Sequence, residues 1–257
     1  MHILLTNDDG IFAPGLAAMY DQLTEIGRVS VVAPDVSRSG ASHSISLEPL
    51  ICQQVQLPGT FSGYSVQGSP ADCVKLAVME LIDKDDGPID MVVSGINHGA
   101  NVGINIYYSG TVAAAMEAAF YQIPAIAVSA ALEENLDIES AAAYACNIIK
   151  KLLPLTESDI INVNIPRLSL GKPKGTKVMP QATAGFHENY VLHNDQHGQK
   201  IYQLTGGDHR DDHTVPTDTI ALTEGYITVT ALKFGMTNHE KNEDLKSRLS
   251  KNKNGGS

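Results

Sequence analysis

The chain has 257 residues, 43% of them hydrophobic and 18% charged, which is enough for one sizeable α/β core or for a core with an extension. With 18 basic and 29 acidic residues its net charge is -11, so it lacks the electrostatic footprint of a duplex-binding protein and is expected to have no stable nucleic acid partner. No stretch approaches the roughly 18 apolar residues of a membrane span, and the strand-like start ILLTN carries neither a basic region nor a small-residue cleavage site, so residence in the cytoplasm is expected.

The first ten residues, MHILLTNDDG, form a short apolar strand that ends on two adjacent carboxylates, Asp8 and Asp9. Neighbouring residues in a strand point to opposite faces, so the two converge only if the chain turns there, which Gly10 permits. Two anions held that close repel unless a cation or a proton lies between them. The pair therefore reads as half of a divalent metal site. The alternative is a plain turn in which Asp9 caps the next helix.

APGLAAMYDQLTEIG follows with Leu16, Met19, Tyr20 and Leu23 at helical spacing, and RVSVVAPD reads as a second buried strand. This strand, helix, strand order is the unit that builds parallel sheets, whose ligands bind at the carboxyl ends of the strands. The second strand empties into VSRSGASHSIS, a loop of small hydroxyl residues around Gly40 that suits anion or metal contacts. ICQQVQL and YSVQG then form an antiparallel excursion split by Pro58, Gly59 and Gly63, and ADCVKLAVMELID is a helix with Val74, Ala77, Val78 and Leu81 on one face.

PIDMVVSGIN is a further strand. HGANVGINIYYSGTVAAAMEAAFYQ is a glycine-punctuated loop running into an alanine-rich helix that starts near Ser109, Gly110 and Thr111. The first N–H groups of such a helix lack internal partners and favour an anion. IPAIAVSA, a helix over IESAAAYACNIIKKLL, and the strand DIINVNIP complete a parallel core expected to close at Pro166. Beyond it, GKPKGTKVMPQ is basic and broken. HENYVLHNDQHGQKIYQLTGG is a hairpin, GYITVTALKF one more strand, and HEKNEDLKSRLSK a polar helix before a short tail. A protruding hairpin and a terminal arm are hard to stabilise alone, so both are expected to pack on a partner subunit.

Ser39 and Asn97 each follow the end of another strand, which gathers Asp8, Asp9, Ser39 and Asn97 on one sheet edge. Hard oxygen donors of this kind suit Mg²⁺ or Mn²⁺. Asn101, Ser109, Gly110 and Thr111 supply a phosphate seat opposite, unless YSGT is an N-cap and nothing more. His43 and His98 lie in the same loops as candidate acids or bases. His209 and His213, and His193 and His197, read as solvated loop residues. Cys52, Cys73 and Cys146 form no CxxC and are expected as buried thiols. GxGxxG after the first strand and GxxxxGK[ST] are both absent, which argues against a dehydrogenase or a P-loop enzyme.

ILLTNDDGIFAPGL, VVAPDVSRSGASHSIS, GSPADCVKLA, VVSGINHGANVG, YSGTVAAAMEA and DIINVNIP, in that order, resemble the stationary-phase survival SurE family of metal-dependent 5′/3′-nucleotidases, also described as exopolyphosphatases. The later TDTIALTEGYITVTAL resembles the family's last strand. The resemblance implies a Rossmann-like α/β fold with a mostly parallel sheet flanked by helices, a C-terminal β-hairpin and an exchanged arm. Residues 1–166 would be the nucleotidase core and 167–257 the hairpin, last strand and arm of the same overall domain. One divalent ion, Mg²⁺ or Mn²⁺, would be held by Asp8, Asp9, Ser39 and Asn97. Asp8, Asp9 and Asn101 would be catalytic, and Gly40, Asn101, Ser109, Gly110 and Thr111 would surround the phosphate of a nucleoside monophosphate. A homodimer or homotetramer joined by C-terminal arms is implied. His98 after SGIN departs from the small residue many relatives carry, and the tail after Phe234 matches no family segment. Two rivals are a haloacid-dehalogenase-type phosphatase with Asp8 as nucleophile, which needs Asp-x-Asp rather than an adjacent pair, and a nucleotide-binding stress protein without turnover.

Overall fold

The computed structural model describes residues 1–56, 61–82, 87–194, 198–209 and 215–251. Pro58, Gly59, His197, His213 and the tail beyond Lys251 lie outside the described residues. Strands β1 (His2–Thr6), β2 (Arg28–Pro34), β4 (Ser62–Val66), β5 (Met91–His98), β6 (Ala125–Ala130) and β7 (Ile160–Ile165) form a parallel sheet in the order β4-β2-β1-β5-β6-β7. β3 (Cys52–Gln56) pairs antiparallel with β4 at one edge, as the excursion predicts. At the other edge the parallel core closes at Pro166, as expected, but the sheet runs on. β11 (Ile227–Leu232) adds antiparallel to β7, and β8 (Thr176–Val178) adds beyond it to give nine strands. β9 (Phe186–Asn194) and β10 (Lys200–His209) make a separate two-stranded hairpin, with β10 running on through residues expected to be loop.

Apolar runs with side chains buried on both faces make β1, β5 and β6 central strands. Helices α1 (Pro14–Leu23) and α4 (Ile138–Leu152) cover one face, with Leu16, Met19 and Ile149 packed on Ile3, Leu5 and Val93. α2 (Pro70–Leu76), which continues as a π-helical turn over Ala77–Leu81, and α3 (Gly110–Phe120) cover the other, around Leu4, Val74, Val92 and Ala115. The helix expected over residues 71–83 is therefore present from Pro70 to Leu81, with a π-helical last part. α5 (Asp218–Thr223), in a segment read as strand-like, and α6 (His239–Lys251) complete the chain. No helix among the described residues is long and apolar enough to cross a membrane. The cysteines are free, and Cys73 and Cys146 are buried, but Cys52 at the sheet edge is only partly so.

Two devices tie the strand-end loops to this frame. The loop after β2 is held by Ser42, whose hydroxyl donates to the Tyr107 carbonyl at 2.6 Å. It is also held by Ser46, whose N–H and hydroxyl donate to Asp72, the N3 residue of the Ser69 capping box on α2. Between these anchors His43 Nε2 lies 2.8 Å from Glu117 Oε2, and Lys75 Nζ lies 3.3 Å from Oε1. Glu117 is the one charged residue of α3 and is 3% exposed, so it needs both partners. His43 also stacks on Phe120, and Phe234 meets Phe120 edge-on.

Burial alone would raise the Glu117 carboxyl, but the His43 hydrogen bond and the Lys75 charge outweigh it and hold the group below its ordinary 4.5. A lowered carboxylate stabilises the fold fully above its unfolded value and loses that contribution as pH falls through the lowered native value. Glu117→Gln is thus expected to be less stable than wild type in urea unfolding. The gap should be full above pH 4.5 and shrink on acidification below it. A gap that stays constant from about pH 6 to about pH 3 contradicts the buried ion pair.

Candidate functional site

The turn after β1 is built by Asn7, a residue to which the sequence pattern assigned no role. Its Nδ2 donates to the Gly10 carbonyl at 2.9 Å and its Oδ1 accepts from the Gly10 N–H at 3.1 Å, a two-way clamp that fixes Asp8 and Asp9 between them. Gly10 has φ +104°, a conformation L side chains rarely adopt. Asp9 caps nothing: α1 begins after Ala13 with no side-chain cap bond.

Asp8 is 3% exposed and points at the start of α3, where Thr111 Oγ1 donates to its Oδ1 at 2.5 Å. The fit is close. A Cβ on Gly110 would lie 2.9 Å from the Asp8 Cβ, so only glycine lets the helix end approach the carboxylate. Burial pushes the Asp8 carboxyl above its ordinary 3.8, the Thr111 hydroxyl opposes this, and the Asp9 charge adds to it. Asp9 Oδ2 receives the His98 N–H at 3.3 Å. Among the described residues neither carboxylate has an ion-pair partner; the nearby Arg38 is engaged with Asp35 at 3.2 Å.

Asn97 lies one residue before the end of β5, just past a register shift against β6, and its Nδ2 donates to the Gly99 carbonyl at 2.6 Å. That bond fixes the amide and leaves Oδ1 with no hydrogen bond among the described residues. Arg38 N–H donates to the Asp8 carbonyl at 2.7 Å, which brings the β2 loop against the turn one residue before Ser39. Ser39 and Gly40 themselves are exposed, Ser39 touching Ser37 at 3.0 Å, and nothing lies within 4 Å of a Cβ built on Gly40.

Asn101 is buried in a web that strand periodicity did not single out. Its N–H donates to Asn164 Oδ1 at 2.8 Å, its carbonyl accepts from Asn162 Nδ2 at 2.7 Å, and its Nδ2 donates to Ser129 Oγ at 2.8 Å. One of the two amide protons is therefore spent and the other is free to meet a ligand. The next turn, Gly103–Tyr107, is held from the C-terminal region: Asp218 accepts from the Gly103 N–H and Gln181 donates to its carbonyl, each at 2.9 Å. Ser109 caps α3 by accepting from the Val112 N–H at 3.1 Å, so the N-cap in YSGT is present. Thr111, by contrast, turns its hydroxyl to Asp8 rather than to open space. His43 is committed to Glu117, and His98 Nε2 to the Glu133 carbonyl at 3.0 Å.

The site thus offers two carboxylates without a cation, an unengaged amide oxygen and a nearby hydroxyl. A buried carboxyl whose charged form is disfavoured by burial and by its neighbour is relieved by a divalent cation. No three His, Cys, Asp or Glu side chains gather among the described residues to hold a metal.

The family model "Survival protein SurE" matches residues 3–188. The 5′-nucleotidase SurE of Rhodopirellula baltica is 41% identical over 249 residues, covering 96% of this chain and 98% of its own. That of Aeromonas hydrophila is 42% identical over 243 residues, covering 92% and 94%. The crystal structure of the SurE protein from Aquifex aeolicus superposes with a TM-score of 0.82 at 37% identity, covering 97% of this chain and 100% of its own. With its nine-stranded sheet, its NDDG turn packed on the start of α3 and matches over nearly its whole length, the chain belongs to the SurE family.

Proposed function

We propose that the chain is a divalent-metal-dependent phosphomonoesterase that converts nucleoside 5′- and 3′-monophosphates to nucleoside and phosphate, with short-chain polyphosphate as a further substrate. The observation that carries this reading is the uncompensated Asp8–Asp9 pair, fixed by Asn7 and pressed against the first turn of α3. The name 5′-nucleotidase borne by relatives about two-fifths identical over the whole chain supports the substrate class.

Asp8, Asp9, Ser39 and Asn97 would hold Mg²⁺ or Mn²⁺. Such an ion supplies Lewis-acid polarisation of the phosphoryl group and acidification of water. The residues of the chain do the rest. The free amide proton of Asn101 and the first N–H groups of α3 at Ser109, Gly110 and Thr111 bind the phosphoryl oxygens, and the helix dipole favours the charge that grows on them. Exposed Gly40 lets a ligand approach the β2 loop closely. Thr111 orients Asp8 through its hydroxyl. Asp8 is a poor nucleophile in this setting, being buried with one oxygen bound by Thr111, which favours the metal role over an aspartyl-phosphate mechanism.

The assembly is inferred to be a homodimer or homotetramer of a cytoplasmic protein. The hairpin is not part of the main sheet and exposes Tyr190, Leu192, Tyr202 and Leu204, which a partner subunit would cover.

Phosphate release from AMP with Mn²⁺ is expected to fall at least roughly 100-fold in Asp8→Asn and in Asp9→Asn and to vanish with EDTA. Thr111→Ala should raise KM roughly tenfold and weaken the metal dependence too, because its hydroxyl bonds Asp8. Full turnover by Asp9→Asn contradicts the metal model. In light scattering, Tyr202→Lys with Leu204→Lys should lower the mass toward that of one chain, whereas an unchanged oligomer would exclude the hairpin from the interface.

A further inference from the structure

Two clefts open near the strand ends, one past the end of β5 and one at Asp9, and their chemistry differs. One, of about 810 Å³, begins at Gly99 and Ala100 and carries Arg167, Lys172 and Lys174, with Glu224 bound to Lys177 at 3.0 Å. It is a cationic groove suited to an anion. The other, of about 750 Å³, begins at Asp9 and is walled by Phe12, Ile96, Leu136 and Ile138, with Glu134 and Asn135 at its rim. None of the residues that line it is Lys or Arg. Its size is that of a small-molecule site, and its apolar walls with a few polar groups match how such sites are built.

Phe12 is the feature that needs a reason. It sits three residues after Asp9, is 62% exposed, and has no aromatic partner among the described residues. The chain from Asp9 to Gly15 is otherwise tightly placed: Ile11 is 1% exposed, and its N–H donates to the Pro34 carbonyl at 2.8 Å. A large, exposed ring is therefore held on a fixed turn, four residues along from Asp8. A second phosphate would meet three carboxylates, Asp9, Asp35 and Glu134, with no Lys or Arg among the lining residues. A neutral heteroaromatic ring would meet an apolar wall, a ring to stack on and acceptors for its N–H groups.

Resting on the nucleotidase reading above, we propose that this cleft seats the nucleobase of the substrate, with Phe12 stacked on its face and Glu134 with Asn135 favouring bases that bear an exocyclic amino group. The cationic groove stays outside nucleoside recognition. The site makes the enzyme selective for nucleotides over phosphate esters without a base, and it draws on every wall residue named from one chain.

The test compares AMP with ribose 5-phosphate, the same ester without its base, on the full chain with Mn²⁺. Wild type is expected to prefer AMP in kcat/KM. Phe12→Ala should lower the AMP to ribose 5-phosphate ratio by roughly tenfold or more, Phe12→Tyr should restore it, and Lys172→Ala should leave it unchanged. Glu134→Ala should lower the AMP to IMP ratio about fivefold. Phe12 is exposed, so its loss does not open the core. An unchanged ratio in Phe12→Ala with normal wild-type turnover removes the base site alone, and so does a fall in Lys172→Ala instead. A wild-type chain that releases phosphate from neither compound overturns both this proposal and the nucleotidase reading.

Discussion

Asp8 and Asp9 stand side by side at the end of a buried strand, with no ion-pair partner for either among the described residues, and the surrounding structure works to keep them there. The Asn7 clamp closes the turn, Gly110 has no side chain to hold α3 away, and the Thr111 hydroxyl fixes one oxygen of Asp8. Each of these contacts costs freedom without neutralising charge. Burial and mutual repulsion act together against ionisation of Asp8. A structure that merely needed a turn would put a neutral residue at Asp8. The arrangement makes physical sense when a divalent ion supplies the missing charge.

The other parts of the site are positioned by groups some distance from it. Glu117 on α3 binds His43 from the β2 loop and Lys75 from α2, so the helix that begins at Gly110 also anchors the loop that carries Ser39 and Gly40. Asn162 and Asn164 on β7 and Ser129 on β6 hold Asn101. Asp218 on α5 and Gln181, both beyond Pro166, hold the turn that follows. The C-terminal third thus reaches the active edge within one chain, in addition to any part it plays between chains.

Much of this was legible in the residues. Continuous apolar runs marked the parallel strands along the chain, and NDDG, SGIN and YSGT marked the ends on which Asp8, Asp9, Asn97 and Thr111 are brought to one edge. What periodicity missed were residues whose importance lies in a polar bond inside an apolar setting. Asn162 and Asn164 alternate on one face of INVNI and are at most 1% exposed, and Glu117 interrupts an alanine helix. A buried amide or carboxylate is tolerable only when bonded, so each was a visible signal with no visible partner. The parallel core closes at Pro166 as expected, but the strands that extend the sheet beyond it were not foreseen. Strand β11 joins the sheet by antiparallel register with β7, and β8 by register with β11, long-range facts that local pattern does not contain. Thr111 reads as a phosphate ligand by position, yet its hydroxyl belongs to Asp8 because the turn and the helix end approach more closely than spacing along the chain reveals.

The measurement that bears most directly on the carboxylate pair is equilibrium Mn²⁺ binding followed by electron paramagnetic resonance, without substrate. The account predicts one tightly bound ion per chain in wild type and loss of that ion in both Asp8→Asn and Asp9→Asn, each shown to be folded by circular dichroism. Undiminished binding of the ion in both folded variants would contradict it.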